Sequence, residues 1–245
     1  MNPVIKIFDS IEDQASFFFL LLVTAIHNSE ENRHISVALS GGSTPKRIFE
    51  YLATNCRDLI DWKKILVFWG DERCVSPENL ESNFRMARES LLDHVPIEKS
   101  NIFRIMGETD PNYEAGRYSE IVCQRVASRD NIPSFDIFML GLGEDGHTAS
   151  IFPDSLHLLV SDKLFGVSEN PSSGQKRITA TMKIINHSRT VVFFANGKAK
   201  AEIVARVIGR EQGWERLPAA MVNPGKGDLL WLLDKDAALY LSNNS

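Results

Sequence analysis

Phe135-Asp-Ile-Phe-Met-Leu140-Gly-Leu-Gly-Glu-Asp-Gly-His147-Thr-Ala-Ser-Ile-Phe-Pro153 joins a mostly apolar run to a glycine-spaced polar loop. A short apolar run bounded by glycines reads as a buried strand, and Gly141, Gly143 and Gly146 let the backbone turn sharply or approach a ligand. The strand then ends by presenting Glu144, Asp145 and His147 on a loop. In open α/β sheets ligands sit outside the carboxyl ends of strands, where polar groups converge without being buried in the core. His147 there is a candidate acid or base; the competing reading is a tight turn whose histidine satisfies backbone groups. Gly141 to Gly146 also matches Gly-x-Gly-x-x-Gly. That fingerprint should open a long helix, which Pro153 does not permit, so no dinucleotide cofactor is expected.

The same arrangement recurs on either side of this stretch. His34 to Leu39 reads as a strand running into Ser40-Gly41-Gly42-Ser43-Thr44-Pro45, with a helical pattern from Lys46 to Ala53. Pro45 suits the first helical position, so the unpaired N–H groups near Gly42, Ser43 and Thr44, two hydroxyls and the positive helix end would face one spot the size of a phosphate. An ordinary Ser/Thr-capped helix is the alternative. The Gly-Lys-[Ser/Thr] of a Walker A loop is absent.

The apolar run Ile65 to Trp69 leads to Gly70-Asp71-Glu72-Arg73. Arg73 could clamp a phosphate or carboxylate bidentately, and Asp71 could orient a histidine or accept sugar hydroxyls; a solvated charged turn is the competing reading. Thr190 to Ala195 reads as a strand, followed by Asn196-Gly197 and a helix from Lys198 to Val207. Lys198 and Lys200 oppose the macrodipole in its first turn, which suggests an anion that both serve.

The remaining elements follow the 3.6 and 2.0 periods. Strands are expected at Ile5–Phe8, Ile102–Ile105, Leu164–Val167, Arg177–Met182 and Leu229–Leu233. Helices are expected from a Ser10/Asp13 capping box to His27, from Asn79–Asn83 to Leu92, over Tyr113–Val126, and over Ala237–Leu241. The Phe17-Phe18-Phe19 triplet should face the core. Arg177 is either an edge charge or a ligand contact. The expected fold class is α/β, an open mostly parallel sheet with helices on both faces, of modified Rossmann type, with room for a small added β/α subdomain. No repeat or linker divides the chain, so residues 1–245 are expected to form a single domain.

Composition excludes several classes. At 245 residues, 43% hydrophobic and 24% charged, the chain is neither disordered, collagenous nor coiled-coil. A net charge of -5 argues against a nucleic-acid groove or an anionic membrane partner. Phe17 to Val23 is too short to span a bilayer, and the acidic residues before it are unlike a signal peptide, so a cytoplasmic protein is expected. Cys56, Cys74 and Cys123 suggest neither a disulfide frame nor a zinc cage. No ligand spacing supports a metal centre at Asp71, Glu72, Glu144 and Asp145, and no Gly-x-Ser-x-Gly elbow occurs.

The motifs Ser40-Gly-Gly-Ser-Thr-Pro45, Asp71-Glu-Arg73, Ser82-Asn83, Leu140 to Pro153, Arg177-Ile-Thr179 and Gly197-Lys-Ala-Lys200 together resemble the 6-phosphogluconolactonase family, whose fold is shared with glucosamine-6-phosphate deaminases. The resemblance spans about residues 35 to 233, in order, and its Leu140–Pro153 block is the most specific part. It implies a deaminase/lactonase-like fold and hydrolysis of 6-phosphoglucono-1,5-lactone to 6-phosphogluconate in the oxidative pentose phosphate pathway, without metal or coenzyme.

It implies His147 as general base, assisted by Asp71 and Asp145, with the phosphate on Ser40, Gly41, Gly42, Ser43, Thr44, Arg73, Arg177 and Lys200. The partner would be the small phosphorylated lactone, with no nucleic acid or membrane, and the protein a monomer or weak homo-oligomer. Deaminases carry an acidic residue shortly after the histidine where this chain reads Ser150-Ile-Phe-Pro153, so their proton relay would lack a member. A sugar-phosphate isomerase or deaminase, or a non-catalytic sugar-phosphate-binding regulator, is the alternative. Two departures stand out: Pro171-Ser-Ser-Gly174 replaces the usual Lys-Pro-Pro, and Gly-Lys-Ala-Lys200 replaces Gly-Glu-Gly-Lys, which makes Lys198 a substitute candidate for Lys200.

Overall fold

The computed structural model describes residues 3–241. In chain order it contains β1 (Val4–Phe8), α1 (Ile11–His27), β2 (Ile35–Leu39), α2 (Ser43–Asn55), β3 (Ile65–Trp69), β4 (Asp71–Arg73), α3 (Asn83–Ala87) and α4 (Pro111–Arg125). There follow the short hairpin β5 (Ser128–Arg129) and β6 (Ile132–Pro133), then β7 (Ile137–Gly141), β8 (Phe165–Glu169), β9 (Lys176–Ala180), α5 (Met182–Asn186), β10 (Thr190–Ala195), α6 (Ala201–Gly209) and β11 (Asp228–Asp234).

Six strands form one parallel sheet in the order β1-β11-β10-β7-β2-β3. Interior strands of a parallel sheet are covered on both faces and therefore read as continuous apolar runs. Every residue of β2 is accordingly buried, whereas the edge strand β1 is largely exposed. From β2 the chain passes through α2 outward to β3, and from β10 through α6 outward in the opposite direction to β11. Because such crossovers are right-handed, the two helices must lie on opposite faces. The strand order thus reverses between β2 and β7, and their carboxyl ends open onto a crevice that no crossover helix closes.

A second, antiparallel sheet β4-β9-β8 packs against α4 and forms the small added β/α unit. It matters for function because β4 follows β3 almost directly and turns Asp71 and Arg73 back toward the crevice. The core is rich in aromatic side chains. Phe193 and Trp231 stack at 4.0 Å with a 3° tilt, and Phe135 packs edge-on against both Phe68 and Phe138. No described helix is long and apolar enough to cross a membrane.

Several expected elements differ. Of the phenylalanine triplet only Phe18 is fully buried, because successive helical residues point about 100° apart and three cannot share one face. Ile102 makes an isolated bridge to Val67 rather than starting a strand, and Ala237 to Leu241 forms turns instead of a helix. α2 begins at Ser43 with Gly42 as its N-cap, so Pro45 is the third helical residue, where an N–H would be unpaired in any case. α3 passes into a π-helical turn at Arg88–Leu92, the Arg177 strand ends at Ala180, and Lys198–Lys200 is a 3-10 turn ahead of α6.

At the amino ends of three adjacent strands, buried Asp136 accepts hydrogen bonds from the Ser36 N–H at 2.9 Å and the Ser36 hydroxyl at 3.1 Å. It also pairs with Arg33 at 2.5 Å and Arg189 at 3.4 Å. Removing it leaves the buried Ser36 donors without an acceptor and the part-exposed Arg33 and Arg189 without their carboxylate. Asp136→Ala should destabilise the fold by about 3 kcal/mol, read as a lower urea midpoint at constant m-value. The opposite strand ends should be unaffected by the same substitution.

Candidate active site

The crevice holds a cleft of about 230 Å³. β2 delivers Ser40, Gly41 and Gly42 to it; β4 supplies Asp71 and Arg73; β7 and its following loop supply Gly141, Gly143 and His147; and Lys200 enters from the β10 side. These residues come from four separate parts of the chain and meet only because β10, β7, β2 and β3 are neighbours in the sheet.

The His147 loop is closed by its own hydrogen bonds. The Gly143 N–H donates to His147 O, the Gly146 N–H donates to Gly143 O, and the Thr148 hydroxyl donates to Gly141 O. Gly143 is required by close approach, since a Cβ there would overlap the His147 ring. Asp145 Oδ1 lies 2.6 Å from His147 Nδ1 and also accepts the His147 backbone N–H at 3.1 Å. Partial burial pushes the Asp145 carboxyl up, but the bonds from the His147 ring and backbone outweigh it and hold the group below its ordinary value of 3.8. An ionised carboxylate only accepts, so the neutral ring carries its proton on Nδ1 and leaves the Nε2 lone pair free. Phe152 packs on the ring at 4.8 Å.

Asp71 is buried and held by two donors: the Ser150 hydroxyl at 2.6 Å to Oδ2, and Asn83 Nδ2, which bonds the Asp71 carbonyl at 2.9 Å and reaches Oδ1 at 3.4 Å. Arg73 donates to the Glu81 carbonyl and stands directly opposite Arg177 in the β4–β9 ladder. Arg177 is buried, and its Nη1 finds no hydrogen-bond partner among the described residues. Burial first, and the neighbouring Arg73 second, push its guanidinium below the ordinary arginine range. Lys200 Nζ lies 3.8 Å from Glu144. Among the described residues, no three His, Cys, Asp or Glu side chains come together in a metal-sized group.

Comparison with known proteins identifies the family. A family model described as glucosamine-6-phosphate isomerases/6-phosphogluconolactonase matches residues 12–231. The chain belongs to this family. It is 42% identical over 204 residues to the 6-phosphogluconolactonase of Synechocystis sp., covering 82% of each chain. The solved 6-phosphogluconolactonase from Trypanosoma cruzi superposes with a TM-score of 0.85 at 30% identity, over 99% of this chain and 98% of that one. A monomeric glucosamine-6-phosphate deaminase superposes with a TM-score of 0.79 at 20% identity over 96% and 99% of the two chains, a likeness of fold.

Within the family fold, the residues singled out from sequence separate into three groups. Ser40, Gly41, Gly42, Asp71, Arg73, His147 and Lys200 share the cleft. Asp145 stands behind His147, and Arg177 lies beside Arg73. Ser43 and Thr44 do not line the cleft; they border a neighbouring cavity of about 540 Å³ together with Arg47, Asn196 and Asp234. Sequence reasoning quotes Asn83 in the Ser82-Asn83 motif and as the opening of a helix but gives it no place in the cleft, which it lines. The signal was its place after Ser82, the N-cap of α3, a spot where a side chain faces back from a helix start. Ser150 is missed because nothing local distinguishes its hydroxyl from that of any buried serine.

The depressed Asp145 carboxyl has a testable sign. Its folded value lies below its unfolded value, so its contribution to stability is present above the ordinary value of 3.8 and is lost as pH falls through the folded value. Asp145→Asn should therefore flatten the acid side of the thermal midpoint against pH, most clearly below pH 4. An unchanged acid limb would show that the pair does not form in solution.

Proposed function

We propose that this chain hydrolyses 6-phosphoglucono-1,5-lactone to 6-phosphogluconate, the lactonase step of the oxidative pentose phosphate pathway, with His147 as general base. The observation that carries this reading is the His147–Asp145 pair, at 2.6 Å, opening onto a cleft that also holds Arg73 and Lys200. The whole chain acts as a single cytoplasmic catalytic domain, monomeric or weakly self-associating, without metal or coenzyme.

In the proposed reaction Nε2 of His147 takes a proton from water as the water oxygen attacks C1 of the lactone. The tetrahedral intermediate collapses with cleavage of the bond from C1 to the ring oxygen. His147 returns its proton to that oxygen, which becomes the C5 hydroxyl, and the new carboxyl loses its proton to solvent. Asp145 keeps the ring in the tautomer that can do both and stabilises the imidazolium between the two steps.

Arg73 and Arg177 would hold the phosphate. Two adjacent guanidiniums without a carboxylate partner, one with a buried unpaired Nη1, repel each other until an anion joins them. The backbone around Gly41 and Gly42 and the amino end of α2 favour negative charge at the same side of the cleft. Lys200 adds a cation from the β10 side, and Asp71 accepts a sugar hydroxyl. Thr148 to Pro153 offers no carboxylate for an amino-sugar proton relay: Ser150 is committed to Asp71 and Phe152 to the ring.

Two substitutions test these roles in a lactone-hydrolysis assay corrected for the spontaneous reaction. His147→Ala should lower kcat by about 10³-fold with the phosphosugar still protecting the fold against heat. Arg73→Ala should instead raise KM by about 10-fold or more, the cost of a charged hydrogen bond to phosphate. Equal kcat in wild type and His147→Ala would remove the assignment of the base.

A further inference from the structure

Glu72 is a buried carboxylate beside the cleft that this mechanism does not use. It is the central residue of β4 and is 2% exposed, with its side chain on the opposite side of the strand from its neighbours Asp71 and Arg73. Its Oε1 accepts from the Arg73 N–H at 2.8 Å and the Asn83 N–H at 2.7 Å. Its Oε2 accepts from the Ser82 hydroxyl at 3.0 Å and the Phe84 N–H at 2.8 Å. All four donors are uncharged groups, and three of them belong to one turn of chain, Ser82 to Phe84. Burial pushes the Glu72 carboxyl up, and the three backbone N–H bonds oppose that by favouring the ionised form.

The consequence reaches the cleft through Asn83. With its N–H fixed by Glu72, Asn83 directs its amide across the end of β4 onto both the carbonyl and the carboxylate of Asp71. The amide oxygen lies so close to Gly41 that a Cβ there would overlap it. Asn83 therefore spans the two walls of the cleft, and Glu72 decides where it stands.

We infer that Glu72 is a positioning residue that orients Asp71 toward substrate through Asn83 without itself touching substrate. This rests on the reading of Asp71 as a substrate-facing group. A carboxylate suits the task because only an acceptor can serve four donors at once; an amide in its place would turn an N–H against at least one of them.

The test is a double-mutant cycle in kcat/KM with Glu72→Gln, Asn83→Ala and the pair together, alongside Asp71→Asn, with circular dichroism and urea midpoints for each. Glu72→Gln should lower kcat/KM by about 10-fold in folded protein, and the double variant should be no worse than the poorer single variant, since the two residues act as one device. Loss of stability alone would not produce that pattern. Fold-losses that multiply in the double variant, or wild-type kinetics in Glu72→Gln, would overturn the proposal while leaving Asp71 in its role if Asp71→Asn is impaired. Wild-type kinetics in Asp71→Asn would instead remove the reading of Asp71, and the proposal with it. If Glu72→Gln does not fold, Ser82→Ala takes its place in the cycle, with a smaller loss and the same requirement of coupling to Asn83.

Discussion

The handedness of the crossovers between parallel strands is the constraint from which the rest follows. It sends α2 and α6 to opposite faces of the sheet and leaves the carboxyl ends of β2 and β7 side by side with no helix between them. Into that gap come the Ser40–Gly42 turn, the His147 loop and, from the neighbouring strands, β4 and the Lys198–Lys200 turn. The His147 loop is held by hydrogen bonds of its own, whereas Asp71 and Arg73 are held by the pairing of β4 with β9 and Asp71 also by Asn83 and Ser150.

Two glycines show how close that packing is. Gly41 leaves space for the Asn83 amide and Gly143 for the His147 ring, and at both a methyl group would overlap the functional side chain. The acidic groups divide the work around them. Asp145 is partly exposed and sets the tautomer of His147; Asp71 is buried and immobilised by Ser150 and Asn83. Arg73 and Arg177 stand opposite each other in the β4–β9 ladder, and the nearby Asp71 and Glu81 offset part of the repulsion on Arg177. Charge of both signs is thus concentrated at the strand ends, while the interior strands remain apolar.

Much of this is legible in the sequence because strand ends are written locally. An apolar run followed by glycine and polar residues, as at Leu39-Ser40, Trp69-Gly70-Asp71 and Leu140-Gly141, states both where a strand stops and what it presents. Tertiary direction is less legible. Ser43 and Thr44 sit in the expected anion turn, but α2 begins at Ser43 rather than Pro45, and the two residues border the adjoining cavity. The Glu72–Asn83 contact joins residues on a strand and on a later helix, and neither a period nor a cap signature connects them. Ala237 to Leu241 has helical composition yet lacks the length to nucleate a helix without packing, and it settles into turns.

The proposed reaction requires one orientation of the phosphosugar, with its phosphate end at Arg73 and Arg177 and its C1 end at His147. A crystal structure of the protein with 6-phosphogluconate bound reads that orientation directly. The expected result is phosphate oxygens bonded to both guanidiniums and the C1 carboxylate within hydrogen-bond reach of His147 Nε2. A product bound the other way round, or seated in the cavity beside Ser43 and Thr44, would contradict it.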